Sequence, residues 1–110
     1  MISVGKGRYM VQLEAYDIVD DKLVVITGGE EAHIGSASLA EDTHEVLSIC
    51  KKGHMDHIIS EKMARLIYDK IEKDVLVVCG IHIDYATTEE IEQLVENARQ
   101  CVTIYLKEKK

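Results

Sequence analysis

Four of the five histidines fall in three short glycine-containing segments: Gly28-Gly-Glu-Glu-Ala-His-Ile-Gly35, Gly53-His-Met-Asp-His57 and Gly80-Ile-His-Ile-Asp84. Each segment sits at an expected strand end or element junction, where side chains from distant parts of a chain can converge on a rigid scaffold. Three chemistries are open to them. A divalent ion such as zinc is one, held by His33, His54, His57, His82 and Asp84 through nitrogen and oxygen. His82 and Asp84 are two apart, so on a strand they point the same way. His54 and His57 share a helix face only if a helix begins before His54. No HExxH or comparable spacing occurs, so the set is permissive rather than diagnostic, and loop histidines with local hydrogen bonds are its plainer explanation. A phosphate is the second ligand. Gly28, Gly29 and Gly53 allow close backbone approach, and the helix that follows Gly53 offers unpaired N–H groups, with Lys51, Lys52 and His54 adding donors. The same glycines also serve as turn residues, and there is no GxxxxGK[ST] or GxGxxG for a nucleoside triphosphate or dinucleotide. A nucleophile is the third. Cys79 stands near His82, but three residues apart on a strand they face opposite sides, and a thiol in an apolar run is usually inert packing. An enzyme acting alone is therefore not the first reading of these residues.

The elements that must position these segments follow from periodicity. Tyr9, Val11, Leu13 and Ala15 alternate within Arg8–Asp20, a half-buried strand. Asp20–Asp21 turns the chain into a second strand at Lys22–Thr27, making a hairpin that Gly28–Gly29 ends. Gly35–Ala40 alternates small and polar residues, suiting a strand beneath a close neighbour or a ligand. After a turn at Glu41–Thr43, His44–Lys51 reads as a fourth strand. From Asp56, an N-cap candidate, Ile59, Met63, Leu66, Ile67 and Ile71 recur at helical spacing. Val75–Val78 is continuously apolar, as at the centre of a sheet, and runs on through Gly80 to Asp84. Thr87 and Glu90 match a capping box. Behind them Ile91, Leu94, Val95, Ala98, Val102 and Tyr105 form the stripe of a helix of about five or six turns. The expected fold is one α/β (α+β) domain spanning residues 1–110, a two-layer sandwich of order β-β-β-β-α-β-α with a mostly antiparallel sheet and helices on one face.

Composition narrows the function classes. Phe, Trp and Pro are absent, so the core must be aliphatic. A net charge of −7 argues against nucleic acid as a partner. No apolar run approaches the roughly 20 residues of a membrane helix, and no leader-like apolar stretch opens the chain. Cys50, Cys79 and Cys101 are widely spaced with no CxxC, which fits buried thiols in a reducing cytoplasm rather than disulfides or structural zinc.

At the three glycine-histidine segments the chain resembles the prenylated-flavin chaperone-like family, the LpdD-like domains associated with gallate decarboxylase. The similar stretches are Gly28-Gly-Glu-Glu-Ala-His-Ile-Gly-Ser-Ala37, Gly53-His-Met-Asp56 and Cys79-Gly-Ile-His-Ile-Asp-Tyr-Ala-Thr87, in matching order over most of the chain. The resemblance implies a domain similar to proteasome assembly chaperones. It also implies a non-catalytic role beside UbiD-type decarboxylases, binding prenylated FMN or FMN or helping its delivery. The residues expected to contact such a cofactor are Gly29, His33, Gly35, Gly53, His54, Gly80, His82, Asp84 and Tyr85. His33, His54 and His82 would make polar contacts, Asp84 would orient His82, and Tyr85 would pack on the ring. A small metal-dependent enzyme is the alternative. A homo-oligomeric scaffold in which the last helix pairs with its copy is a third reading, with the histidines incidental.

Overall fold

The structure, a computed structural model, describes residues 1–42, 45–51 and 56–108, Asp56 by its backbone alone. Six strands form one sheet: β1 (Ile2–Val4), β2 (Val11–Ile18), β3 (Asp21–Gly29), β4 (Ser36–Ala40), β5 (Val46–Cys50) and β6 (Val75–His82). Helix α1 (Asp56–Ile71) lies between β5 and β6 in the chain, and α2 (Thr88–Glu108) follows β6. The spatial order is β1-β2-β3-β6-β4-β5.

The expected hairpin of β2 with β3 is present, and β4 and β5 also pair antiparallel, but the two pairs are not adjacent in the sheet. Strand β6 enters between them, parallel to β3 and antiparallel to β4, so the sheet is mixed. Its run Val75–Val78 is apolar on both sides, which suits a strand with neighbours on either edge. Strand β1 is an addition to the expected order, with Ile2 opposite Leu13 and Val4 opposite Val11. The β2 strand begins later than expected, because Gly7–Tyr9 closes a 3-10 turn. Its start is fixed where the Met10 N–H donates to the Gly7 carbonyl.

Alternation along the strands sends one set of side chains beneath both helices. Val11, Leu13, Val24, Ile26, Ala40, Val75, Val77, Cys79 and Ile81 meet Ile59, Met63, Ala64 and Ile67 of α1 and Leu94, Ala98, Cys101, Val102 and Tyr105 of α2. Each large aliphatic side chain removed from water there contributes about 1.5–3 kcal/mol. The buried face of α1 follows 59, 63 and 67, so Leu66 of the expected stripe turns outward, as does Ile91 on α2. Where α1 crosses β4, serines replace aliphatics. The Ser36 and Ser38 hydroxyls lie 2.9 and 2.7 Å from that of Ser60, and Ser38 also bonds Ser48, so the buried polar groups satisfy one another. Small side chains on this strand admit a close neighbour, and that neighbour is α1.

The capping box forms as expected. The Glu90 N–H donates to the Thr87 hydroxyl at 3.1 Å, and the Thr87 N–H donates to the Glu90 carboxylate at 2.9 Å. The Asp56 cap depends on a side chain outside the described residues, as does the start of the expected strand at His44. All three cysteines are free, Cys79 and Cys101 buried. Cys50 is exposed, contrary to expectation, because the edge strand β5 has no neighbour beyond it in the sheet. Among the described residues no helix is long and apolar enough to cross a membrane.

Candidate functional site

The parallel pair β3 and β6 runs side by side to Gly29 and His82, and its carboxyl ends meet two loops. In open α/β sheets this is where ligands gather, because the chain leaves neighbouring strands in different directions. One loop joins β3 to β4 and carries Glu30 and His33. The other joins β6 to α2 and carries Asp84 and Tyr85.

Backbone contacts hold the first loop across the sheet. The Glu30 N–H donates to the His82 carbonyl at 2.7 Å, and the Gly35 N–H to the Cys79 carbonyl at 2.9 Å. Between these anchors the His33 backbone lies on Gly80, and a Cβ there would coincide with the His33 carbonyl oxygen. Gly29 has φ +78°, and its Cβ would collide with the His82 carbonyl. The close approach permitted by Gly29 and Gly80 is therefore filled by the chain's own backbone. Both backbone groups of Gly35 are taken as well, since its carbonyl accepts from Lys51 at 2.8 Å.

The glycine contacts bring side chains together. His82 Nε2 and the Asp84 carboxylate share a 2.7 Å hydrogen bond, which fixes the imidazole. The His33 ring stands edge-on to that of His82, centroids 5.9 Å apart at 86°. Tyr85, with φ +54°, is 100% exposed. A non-glycine residue in the left-handed region with its ring wholly in water is an unusual arrangement, and such backbones concentrate at functional sites.

Around this group runs a charged network that the sequence reading missed. The Asp84 N–H donates to the Glu30 carboxylate at 3.1 Å. Arg8 reaches Glu30 at 3.7 Å and Glu90 at 3.4 Å, and the Tyr9 hydroxyl donates to Glu90 at 2.8 Å. The N–H of Thr87, then the Tyr9 hydroxyl and the Arg8 charge, hold the Glu90 carboxyl below its usual range, against a smaller opposing effect of desolvation. The hydrogen bond to Glu90 raises the Tyr9 phenol in turn. Asn97, nearly buried on α2, donates to the Tyr9 carbonyl at 2.8 Å and ties the 3-10 turn to the helix. Glu30 lies inside the first glycine-histidine segment, which was its only signal. Arg8 and Glu90 join it from more than twenty residues away or from the far end of the chain.

The remaining candidates are placed elsewhere. His57 is in the first turn of α1, where its carbonyl accepts from the Ser60 hydroxyl, on the helix-covered side of the sheet. His82 alternates to the other side, so the sheet separates them. Gly53 and His54 lie outside the described residues. Among the described residues no group of three or more His, Cys, Asp or Glu side chains is arranged to hold a metal ion. Cys79 is buried on the face opposite His82, as strand alternation requires.

Comparison with known proteins accords with this arrangement. A chain from the crystal structure of a novel chaperone complex for yeast 20S proteasome assembly superimposes with a TM-score of 0.62, covering 94% of this chain and 92% of that one. At 12% identity that likeness is one of fold. Protein LpdD of Lactiplantibacillus plantarum is 33% identical over 91 residues, 78% of this chain and 67% of that protein. The family model of the prenylated flavin chaperone LpdD-like domain matches residues 5–110. From the first 3-10 turn to the last helix, this chain belongs to the prenylated flavin chaperone LpdD-like family.

Proposed function

We propose that this chain binds prenylated FMN, or FMN, at the carboxyl ends of β3 and β6 and passes it to a UbiD-type decarboxylase in the cytoplasm, without catalysing a reaction itself. The observation that carries the reading is the meeting of His33 with the His82–Asp84 pair at those strand ends, with Tyr85 exposed on the adjoining loop, in a member of this family.

The residues present fit such a group. His82, its ring held by Asp84, is proposed as a polar contact of the phosphate, with His33 and Arg8 beside it. An isoalloxazine ring needs a flat apolar surface, and the exposed Tyr85 ring supplies one side of it. A second cleft, of about 470 Å³, opens on the far side of Glu90 between Gly5, Tyr9, Gln93 and Asn97. Two carboxylates, Glu89 and Glu90, line it against one cation, Lys6, so we assign the anionic end to the His82 side. The flavin supplies the chemistry when it reaches the decarboxylase. This chain's own part is to bind, orient and release it. Gly53 and His54 complete the family's segments, and His54 is proposed as a further phosphate donor.

Titration of the purified protein with FMN and prenylated FMN, followed by flavin fluorescence, tests the reading. Saturable binding is expected, weakened at least about tenfold by His82→Ala and by Tyr85→Ala, a loss of about 1.4 kcal/mol each. No binding at about 1 mM flavin, where a complex of roughly −4 kcal/mol would register, overturns it.

A further inference from the structure

The sheet ends in two unlike edges. Strand β1 is three residues long and is followed by Gly5 at φ +90°. Strand β5, Val46-Leu-Ser-Ile-Cys50, runs in unbroken register with β4 and contains no charge, proline or bulge. Among the described residues nothing pairs with its outer edge. Soluble proteins blunt such edges with lysine, proline or bulges, because unpaired N–H and C=O groups are a template for another strand. The groups that point outward follow from the ladder. The Lys51 N–H donates to the Gly35 carbonyl at 2.8 Å, next to the facing pair Ser36 and Cys50. Bonded and non-bonded pairs alternate in an antiparallel ladder, so Leu47 and Ile49 direct their main-chain groups at β4, as does the Lys51 N–H. Val46, Ser48 and Cys50 direct theirs to the open edge. Leu47 and Ile49, 63% and 76% exposed, project on the side of the sheet away from the helices.

We infer that β5 pairs antiparallel with β5 of a second copy, about a two-fold axis through Ser48, joining the two sheets edge to edge. Outward groups must face outward groups, and of the registers that achieve this only the one centred on Ser48 pairs all five residues. It sets Val46 opposite Cys50 of the copy, Leu47 opposite Ile49 and Ser48 opposite Ser48. The charges at the strand ends select the same arrangement. Glu45 precedes β5 and Lys51 follows it, and alternation puts both on the side of Leu47 and Ile49. In the Ser48 register Glu45 of each copy faces Lys51 of the other, a favourable opposite-charge pair at each end. Glu41 and Asp42, just before Glu45, belong to the same acidic end and add to its attraction for Lys51. The two acidic ends stand six residues apart, about 20 Å, beyond the Debye length of about 8 Å. Parallel pairing would set Glu45 against Glu45. Of the remaining charges near β5, Glu61, Lys62 and Arg65 of α1 stand around Val46, on the helix-covered side. The helices leave room for the pair. Helix α1 crosses β4, and in the joined sheet β4 and its counterpart are three strand spacings, about 14 Å, apart. Packed helices need about 8–10 Å between axes, so the two copies of α1 do not collide. Strand β4 separates this edge from β6, so His82 and Tyr85 take no part in it.

An edge pair this short belongs to the weak class of interfaces, below about 1,200 Å² in total, so dimer is expected to build up across about 10–500 µM in sedimentation equilibrium. Lys51→Glu and Glu45→Lys are each expected to weaken it at least about tenfold, and the double variant Glu45→Lys with Lys51→Glu to restore it to within about threefold, with circular dichroism confirming folding. The two residues are six apart along one strand, so only contact between copies accounts for that rescue. Cross-linking fixes the register. In a Cys50→Ser background, Ser48→Cys places two thiols at a Cα separation of about 5.5 Å, within disulfide reach, and mild oxidation is expected to yield a covalent dimer. Glu45→Cys in the same background is expected to yield none. A monomer at about 500 µM overturns the inference. So does a dimer indifferent to both single charge variants, a double variant as weak as the singles, or cross-linking at residue 45 as readily as at residue 48. A dimer lost in Leu76→Arg but kept in Lys51→Glu would lie on the sheet face instead, and equally overturns it.

Discussion

Replacing Gly80 with alanine isolates the contact on which the candidate site is built. The added Cβ would occupy the position of the His33 carbonyl oxygen, a backbone atom that cannot rotate away. The loop must lift, which puts at risk the hydrogen bonds from Glu30 to His82 and from Gly35 to Cys79. Overpacking a tight contact costs about 1–3 kcal/mol, and each backbone hydrogen bond lost about 1 kcal/mol, so a destabilisation of about 3 kcal/mol is expected. With an unfolding entropy of about 2.1 cal/mol/K per residue, that lowers Tm by about 13 °C for a chain of this length. Gly7→Ala is the matched control. Gly7 has φ +59° but nothing within 4 Å of an added Cβ, so only the left-handed conformation is penalised. That costs about 1–2 kcal/mol, or about 4–9 °C. Urea and thermal melts followed by circular dichroism measure both. A Gly80→Ala loss no larger than that of Gly7→Ala would refute the packing of His33 on Gly80.

Other expectations follow from single features. Val19, 90% exposed in the β2–β3 turn with φ +57°, is a β-branched residue in the left-handed region, so Val19→Gly should raise stability by about 1 kcal/mol in urea melts. Burial pushes the Cys101 thiol up to about 11. The folded chain therefore keeps a proton that the unfolded chain loses near pH 9, and stability should fall between about pH 9 and 11, with a shallower fall in Cys101→Ala. A disulfide-exchange thiol assay on the native protein should count one fast-reacting thiol, Cys50, against three after denaturation; three fast thiols would contradict the burial of Cys79 and Cys101. Thr87→Ala should cost about 1 kcal/mol through the lost cap. Because the Glu90 carboxyl titrates lower in the folded chain, its contribution is present above pH 4.5 and lost as pH falls through the folded value. Glu90→Gln should flatten that acid limb.

The parts of the fold that were legible in the sequence depend on local pattern. The alternation in Val11 and Leu13, the apolar run Val75–Val78 and the pair Thr87 and Glu90 each carry their structural meaning within a few residues. Ile2–Val4 does not, since three residues cannot show a period, and only its pairing with β2 makes it a strand. The parallel union of β3 and β6 joins segments some fifty residues apart, and no local signal records it. The site divides the same way. His82 and Asp84 were readable because strand alternation alone aligns them. The contact of His33 with Gly80, and the charges of Arg8, Glu30 and Glu90, arise only when the two strand ends are brought together. Gly29 and Gly80 are expected cofactor contacts, but the backbones of His82 and His33 fill the space beside them.

The most direct test of the cofactor-carrier reading is transfer. The chain would be loaded with prenylated FMN and mixed with a cofactor-free UbiD-type decarboxylase, and the appearance of decarboxylase activity followed in time. Faster activation than with free prenylated FMN at the same concentration, an advantage lost in His82→Ala, is the result predicted. Equal rates with the chain, without it and with the variant would contradict a carrier role for the His33, His82 and Asp84 site.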